Sequence, residues 1–524
     1  MRLLTSTPLL LVPALLGFAL SPSSSDLEAD RKAALEGISA EDVEAHVRIL
    51  ASPQFEGRDS PSEGLERAAI YIERQFESLG IEPVGNTDYR HAFTRRLAVP
   101  VKDKCKLSLS KEGDRATELQ LDSDFVPFPR TTGSASGRAV FCGFGIVSKK
   151  PRWDDLKGKK LDGAVAVLFE GEPRHRKLFE GETITEASDT YRKLKNLEEA
   201  GCVGAVIIRR PEGHDEEGEK QRARLGYRYT WASWLNTNER RRATPSARMP
   251  VVEVSLDAAE TILGTDPVKL AQRGDTSGRP IKHEIKGLEI SLAVETDPKT
   301  VYVDNVVGLL EGSDPELSKE YVIVGAHYDH IGVDARGRIG LGADDNASGT
   351  SALLEMTQAF HEAKPRRSIL FMAFSAEEDG LVGSRALAEN PPVERDSIVA
   401  MVNLDMIGRG ETKKVVVLGC DQNPSFEGLL DRAKSLGKTG ITKIVTNKAA
   451  HLWERSDHHS FHRIGVPVLF FFEAEHEKEN PDYHTYRDTV ELLNFPKIEN
   501  TAKLAFNTAW LLANDDNRPP KPRR

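Results

Sequence analysis

The chain has 524 residues, 39% of them apolar and 29% charged, which predicts about two to four domains rather than one small core. Its 71 basic and 81 acidic side chains give a net charge of −10, which excludes a general nucleic-acid binder. The four cysteines, Cys105, Cys142, Cys202 and Cys420, are widely spaced with no Cys-x-x-Cys, which indicates neither a zinc ribbon nor a disulfide scaffold; export would permit one bridge, and Cys142–Cys202 share a region.

At the N-terminus Arg2 precedes an apolar run, Leu9–Leu20, and the small, mostly polar Ser21–Ser25. The run is too short for a comfortable membrane span and contains Pro13, so residues 1–25 are expected to be a secretory signal peptide. The expectations that follow are export, periplasmic or extracellular, and no stable membrane span after cleavage.

Between residues 26 and 132 two helices are predicted. Ser39–Leu50 opens with a Ser-x-x-Asp cap, and in Gly64–Gly80 the residues Leu65, Ala68, Ala69, Ile72 and Phe76 share one face before Gly80 stops the helix. Alternating segments such as Lys106–Leu109 predict strands. The small residues Gly133–Gly137 then read as a linker. From 133 to 283 short apolar runs with glycine turns (AVFCGFGI, AVAVLFEG, Ala205–Ile208, Pro250–Val254) surround a helix near Thr190–Ala200, which predicts a compact β-rich module. Its charged stretch Glu212–Arg224 is expected to be a solvated loop.

From Ile285 onward strands and helices alternate, the mark of a mainly parallel sheet flanked by helices. The predicted strands are Glu289–Ala293, Asp304–Leu310, Tyr321–Ala326, Ser368–Phe374, Ile398–Leu404, Val415–Gly419 and Val466–Phe472. The predicted helices are Ala347–His361, Gly383–Glu389, Pro424–Leu436, Asp457–Ile464 and Glu499–Asn514. The tail, residues 516–524, is rich in proline and basic residues and is expected to be disordered.

Ligands of open α/β sheets bind beyond the carboxyl ends of the strands, so those ends carry the chemistry. Tyr321–Ala326 leads into His327-Tyr328-Asp329-His330, and a glycine-rich loop then brings Asp344-Asp345 to the start of a helix. Ser368–Phe374 leads to Glu377 and Glu378, and Ile398–Leu404 to Asp405. Val466–Phe472 leads through a polar loop to Asp482-Tyr483-His484. Four strand ends that deliver imidazoles and carboxylates point to a borderline metal ion such as zinc.

In this order, His-Tyr-Asp-His, Gly-Ala-Asp-Asp-Asn-Ala-Ser-Gly, Ala-Glu-Glu, Asn-Leu-Asp-Met-Ile-Gly and Asp-Tyr-His resemble the co-catalytic di-zinc aminopeptidases, a family that includes secreted bacterial leucine aminopeptidases, glutamate carboxypeptidases and the non-catalytic transferrin receptors. Phe55-Glu56-Gly57-Arg58 and the Gly64–Gly80 helix also resemble its exported bacterial members. Residues 133–283 resemble the protease-associated domain often inserted in these enzymes. The fold implied is α/β, a mainly parallel mixed sheet flanked by helices, formed by 26–132 and 284–515 with a small β-rich insertion at 133–283.

The resemblance implies two zinc ions per chain, one held by His327 and Asp405 and the other by Glu378 and His484, with Asp344 between them. It implies Glu377 as general base and a cis peptide where Asp344 and Asp345 join. Asp329, two residues beyond His327, is placed to accept that ring's other N–H. Tyr483 and His458 are the candidate donors to a developing oxyanion.

Asp345 and His330 read equally well as structural or catalytic. His459, His462 and His476 are expected at the surface, and Phe470–Phe472 as core strand. Leu341 before Gly342 and the polar Glu477–Asn480 depart from the family's pattern. Three activities compete. The first is an aminopeptidase acting on peptide substrates. The second is a carboxypeptidase on acidic peptides, which would draw on Arg336, Arg338 and Arg455. The third is a receptor-like binding protein without catalysis. The sequence does not indicate an oligomeric state.

Overall fold

The computed structural model describes residues 24–84, 88–111, 113–128, 131–175, 177–179, 186–209, 249–333, 338–446, 452–473, 480 and 482–523. The leader up to residue 23, the charged stretch Glu212–Arg224, Arg336, His476 and residues 477–479 lie outside the described residues.

After an opening helix, Ser24–Gly37, two helices carry the expected caps. Ser39 accepts the Asp42 amide at 3.0 Å ahead of Ala40–Leu50, which buries Val43, Val47 and Leu50. Ser62 accepts the Leu65 amide at 3.0 Å ahead of Glu63–Ser78, whose Leu65, Ala68, Ala69, Ile72 and Phe76 are all buried.

The main sheet has at its centre four mutually parallel strands in the order Ser368–Phe374, Tyr321–His327, Ile398–Leu404 and Val468–Phe472. Thr296–Leu310 borders them antiparallel on one side, and Lys414–Leu418 on the other. The central strands read as unbroken apolar runs because both of their faces are covered. Val322, Val324 and Ala326 pack with helices Gly349–Ala363 and Phe495–Asn514. Their neighbour Ile323 points the other way, toward Leu387 of Val382–Glu389 and Phe461 of His458–Arg463. All four strands run the same way, so their carboxyl ends share one edge. The mixed α/β architecture predicted from the alternation is the one observed, with boundaries shifted by one or two residues at most of the elements.

A long antiparallel ribbon, Arg90–Pro100 against Thr296–Leu310, carries the chain out of this unit and back. Beyond it lies a second sheet, in the order Thr117–Leu119, Lys106–Lys111, Leu288–Val294, Gly133–Phe141, Val165–Phe169, Gly204–Ile208, Val251–Val254 and Phe125–Pro127. It therefore draws strands from both sides of the 133–283 segment. The stretch Gly133–Gly137, read as a linker, is instead part of a strand paired with Leu288–Val294. Its small residues permit close approach: Ser136 and Ser291 hydroxyls meet at 2.7 Å, and a Cβ on Gly137 would lie 2.2 Å from the Gly163 carbonyl.

The basic tail makes contacts with the larger unit. Arg518 pairs with Glu320 at 2.8 Å, Asn423 donates to the Pro520 carbonyl at 2.8 Å, and the Arg523 amide donates to the Gln422 carbonyl at 2.8 Å. All four cysteines are free and buried, so the Cys142–Cys202 bridge is not formed. Among the described residues no helix is long and apolar enough to cross a membrane.

Candidate metal centre

The first strand end presents His327, whose Nε2 lies 3.3 Å from Asp345 Oδ1 and 3.2 Å from Asp405 Oδ1. Opposite, His484 Nε2 lies 3.2 Å from Asp345 Oδ2 and 2.7 Å from Glu378 Oε2. One carboxylate, Asp345, thus spans two imidazoles, each with a further carboxylate of its own. Asp345 is the shared member of two compact donor groups, one with His327 and Asp405 and the other with His330 and Glu378.

This placement corrects the assignment of Asp344 as the shared carboxylate. Asp344 turns away from the imidazoles: its Oδ1 accepts the Gly408 amide at 2.9 Å and its Oδ2 accepts from Asn480 Nδ2 at 3.0 Å. The cis peptide likewise joins Asp345 to Asn346, one residue later than expected. The loop is held from behind by Asp488, which accepts the amides of both Asp344 and Asp345 at 3.0 Å. Asn346 ties it to the Asp405 turn, donating to the Leu404 carbonyl and accepting the Met406 amide.

Asp329 accepts the amides of Glu377 and Glu378, at 3.1 and 3.3 Å, and so fixes the turn that carries both. His327 Nδ1 has the Asp329 carbonyl at 3.2 Å as its nearer partner, with the carboxylate at 3.6 Å.

The Phe55–Arg58 segment supports the same loops from beneath. Arg58, 1% exposed, donates to the carbonyls of Tyr328 (2.8 Å), Leu341 (2.8 Å), Gly342 (2.9 Å) and Leu50 (2.5 Å). Gly57 is obligatory beside it, because a Cβ there would lie 2.4 Å from the Gly340 carbonyl and 2.6 Å from that of Gly332.

The charges show what kind of ligand the site suits. Burial alone would lower the His327 pKa, but Asp405 and Glu377 raise it well above an ordinary imidazole. Burial also lowers that of His484, yet Glu378 and Asp345 lift it to about 10. Asp345 is pushed up by burial and pulled back further by His327 and His484, to well below the usual carboxylate range. Nitrogen and oxygen donors packed among surplus carboxylates call for a cation. Asp345 Oδ2 and His484 Nε2 are buried and 3.2 Å apart, yet neither completes a hydrogen bond. The donor set is of the kind zinc takes.

Glu377 stands beside these donors without joining either group. It lines a cleft with Asp345 and Asp405, and burial, together with Asp457, Glu378 and Asp405, overrides the pull of His327 and holds its pKa well above that of an ordinary carboxyl. The cleft is walled by Met406, Leu452, Phe470 and Phe472, with Glu473, Asn480, Arg455 and Tyr483 at its polar positions. Phe470 and Phe472 are therefore cleft residues rather than core alone, while Phe471 points into the main core.

Tyr483 lines this cleft; its ring stacks on His484 at 3.8 Å and its hydroxyl lies 3.5 Å from Arg455 Nη2. His458 does not line it. That ring is fully buried, stacked on Phe470 at 4.4 Å and edge-on to Trp453, and burial drives its pKa well below the ordinary value. It is a packing residue, which removes it as an oxyanion donor. His330, Asn346, Asp488 and Arg58 belong to the centre and its support although their side chains carry no ligand pattern. Only the Gly-Ala-Asp-Asp-Asn and Phe-Glu-Gly-Arg motifs signal that Asn346 and Arg58 matter, and no local pattern points to Asp488.

The chain is 32% identical over 205 residues to a probable leucine aminopeptidase of Arthroderma benhamiae, an alignment covering 38% of this chain and 56% of the relative. It is 34% identical over 216 residues to leucine aminopeptidase 1 of Uncinocarpus reesii, covering 38% and 53%. The chain spans about half the length of the curated relatives it matches. Among solved structures, the fold is similar to that of a zinc aminopeptidase from Bacillus subtilis (TM-score 0.59, 19% identity, 92% of this chain and 96% of that one). It is also similar to that of an aminopeptidase from Aneurinibacillus sp. strain AM-1 (TM-score 0.57, 20% identity, 94% and 100%). The model of peptidase family M28 matches residues 305–509, the segment that carries every donor described above.

Proposed function

We propose that the chain is an exported zinc-dependent aminopeptidase that removes N-terminal residues from peptides. The observation that carries this reading is the Asp345 carboxylate, shared between His327 and His484 with Glu377 beside it. His327, Asp405 and Asp345 would hold one zinc ion, and Glu378, His484 and Asp345 a second. A shared anion would be needed because two neighbouring dications repel. When bound, the zinc pair supplies Lewis acidity, polarising the scissile carbonyl and lowering the pKa of an attacking water.

The remaining work falls to the chain itself. Glu377 takes the proton of the attacking water at its carboxylate and delivers it to the leaving amine. Asp329 keeps Glu377 and Glu378 in register through their amides. The Tyr483 hydroxyl is the donor available to the developing oxyanion from the cleft wall. The apolar wall of Met406, Leu452, Phe470 and Phe472 suits an aliphatic or aromatic first side chain, and the carboxylates at its head suit the substrate's ammonium group. Against the carboxypeptidase reading, Arg455 lies at the Tyr483 hydroxyl and Arg338 over the Tyr486 ring. The intact donor set and Glu377 favour catalysis over a receptor-like role.

Export rests on Arg2 and Leu9–Leu20, and the second sheet is read as a protease-associated insertion on the strength of its buried parallel strands. Purified protein assayed on leucine p-nitroanilide, with and without chelator and with zinc restored, tests the activity. Chelator-sensitive release of p-nitroaniline is expected. No release by protein shown to hold zinc would refute the aminopeptidase reading.

A further inference from the structure

His330 is buried three residues beyond His327, and no step of the proposed reaction uses it. Its Nδ1 lies 2.9 Å from Glu378 Oε1 but 3.7 Å from Asp345 Oδ2. His484 behaves differently, presenting Nε2 to both carboxylates, at 2.7 and 3.2 Å. His484 thus faces the space between two donors, while His330 faces one oxygen of one donor. The other ring nitrogen of His330, Nε2, is buried without a hydrogen-bond partner, so Nδ1 is its one engaged atom.

The ring has no freedom to turn toward another task. Gly342 packs flat against it; with φ at +58°, a Cβ there would sit 2.5 Å from His330 Cγ and Cδ2. The His330 amide is tied to the Arg58 carbonyl at 3.1 Å. A carboxylate accepts only, so the contact requires the proton on Nδ1.

We infer that His330 is a positioning residue: its Nδ1–H occupies Glu378 Oε1 and leaves Oε2, the oxygen beside His484, as the one turned to the ion. This deepens the zinc reading above and rests on it. Without the bond Glu378 would be free to rotate or to offer both oxygens, and partners of this kind change metal affinity by about 10–100-fold.

The test compares the full chain with H330N, whose amide can take the place of Nδ1, and H330A, which removes the donor. Each is stripped with a chelator, then titrated with zinc against a chromophoric competitor and, separately, with cobalt to read the absorption of each loaded site. The expectation is two zinc ions per wild-type chain, one of them weakened about tenfold or more in H330A and restored to within about threefold in H330N. Two sites of unchanged affinity in H330A would overturn the inference, as would a loss in H330N equal to that in H330A, which would make the ring itself the ligand. Should H330A fail to fold, H330Q, whose amide misses Glu378, takes its place with the same expectation. Wild-type protein that bound no zinc would instead refute the zinc reading.

Discussion

Asp345 Oδ2 stands 3.2 Å from His484 Nε2, although 139 residues separate them in sequence. The other oxygen of the same carboxylate faces His327 at 3.3 Å, so one side chain determines the spacing of the whole centre. It can do so because Asp488 fixes the backbone on either side of the Asp344–Asp345 peptide, and Asn346 fastens the loop to the strand that ends in Asp405.

Glu377 touches neither donor group closely enough to be a ligand, so its removal separates chemistry from metal binding. Glu377→Gln is expected to keep the zinc content of the wild type while kcat on leucine p-nitroanilide falls by about 10²–10⁴-fold. Metal analysis of the same preparation used for kinetics checks both halves. A variant that loses zinc would make Glu377 a ligand.

Arg58 satisfies four backbone carbonyls, three of them more than 250 residues away in sequence (separations of 270, 283 and 284), and its charge is buried near Asp488, Asp329 and Asp345. Arg58→Ala strands those carbonyls and removes the compensating cation. A loss of about 3–5 kcal/mol in urea unfolding is expected. A change below about 1 kcal/mol would show that water replaces the guanidinium without cost.

Asp155 lies in the second unit, 2% exposed, where its Oδ2 accepts the amides of Phe144 and Ile146 at 3.1 and 3.0 Å. Burial nevertheless dominates and pushes its pKa up to about 6, above an ordinary value of 3.8. A raised carboxyl pKa favours the protonated folded state, so its contribution is fully present below pH 3.8 and is lost as pH rises through about 6. The wild type is expected to lose about 3 kcal/mol relative to Asp155→Asn across that window, followed by the fluorescence of the neighbouring Trp153 during unfolding. Parallel pH profiles for the two proteins would show that Asp155 titrates normally.

The central strands were legible because burial on both faces writes an unbroken apolar run, and the strand-end rule then pointed to His327, Glu378 and Asp405. What the sequence did not reveal is direction. Asp344 and Asp345 are chemically identical neighbours, and which of them turns inward is decided by Asp488, a residue no local pattern links to them. Phe470, Phe471 and Phe472 look alike in sequence, yet alternation sends Phe471 to the core and its neighbours to the cleft. His458 follows Ser-Asp in a polar setting, and only its stacking on Phe470 shows it to be core. The Gly133–Gly137 strand was hidden because small residues there serve close backbone approach, which carries no apolar signature.

The sharing of Asp345 between two zinc ions is the claim on which the rest depends, and zinc titration of Asp345→Asn beside Asp344→Asn tests it most directly. The account predicts that Asp344→Asn still binds two zinc ions per chain, whereas Asp345→Asn loses the tight binding of both and with it peptide-bond hydrolysis. Two tightly bound ions in Asp345→Asn, with the loss appearing in Asp344→Asn instead, would contradict it.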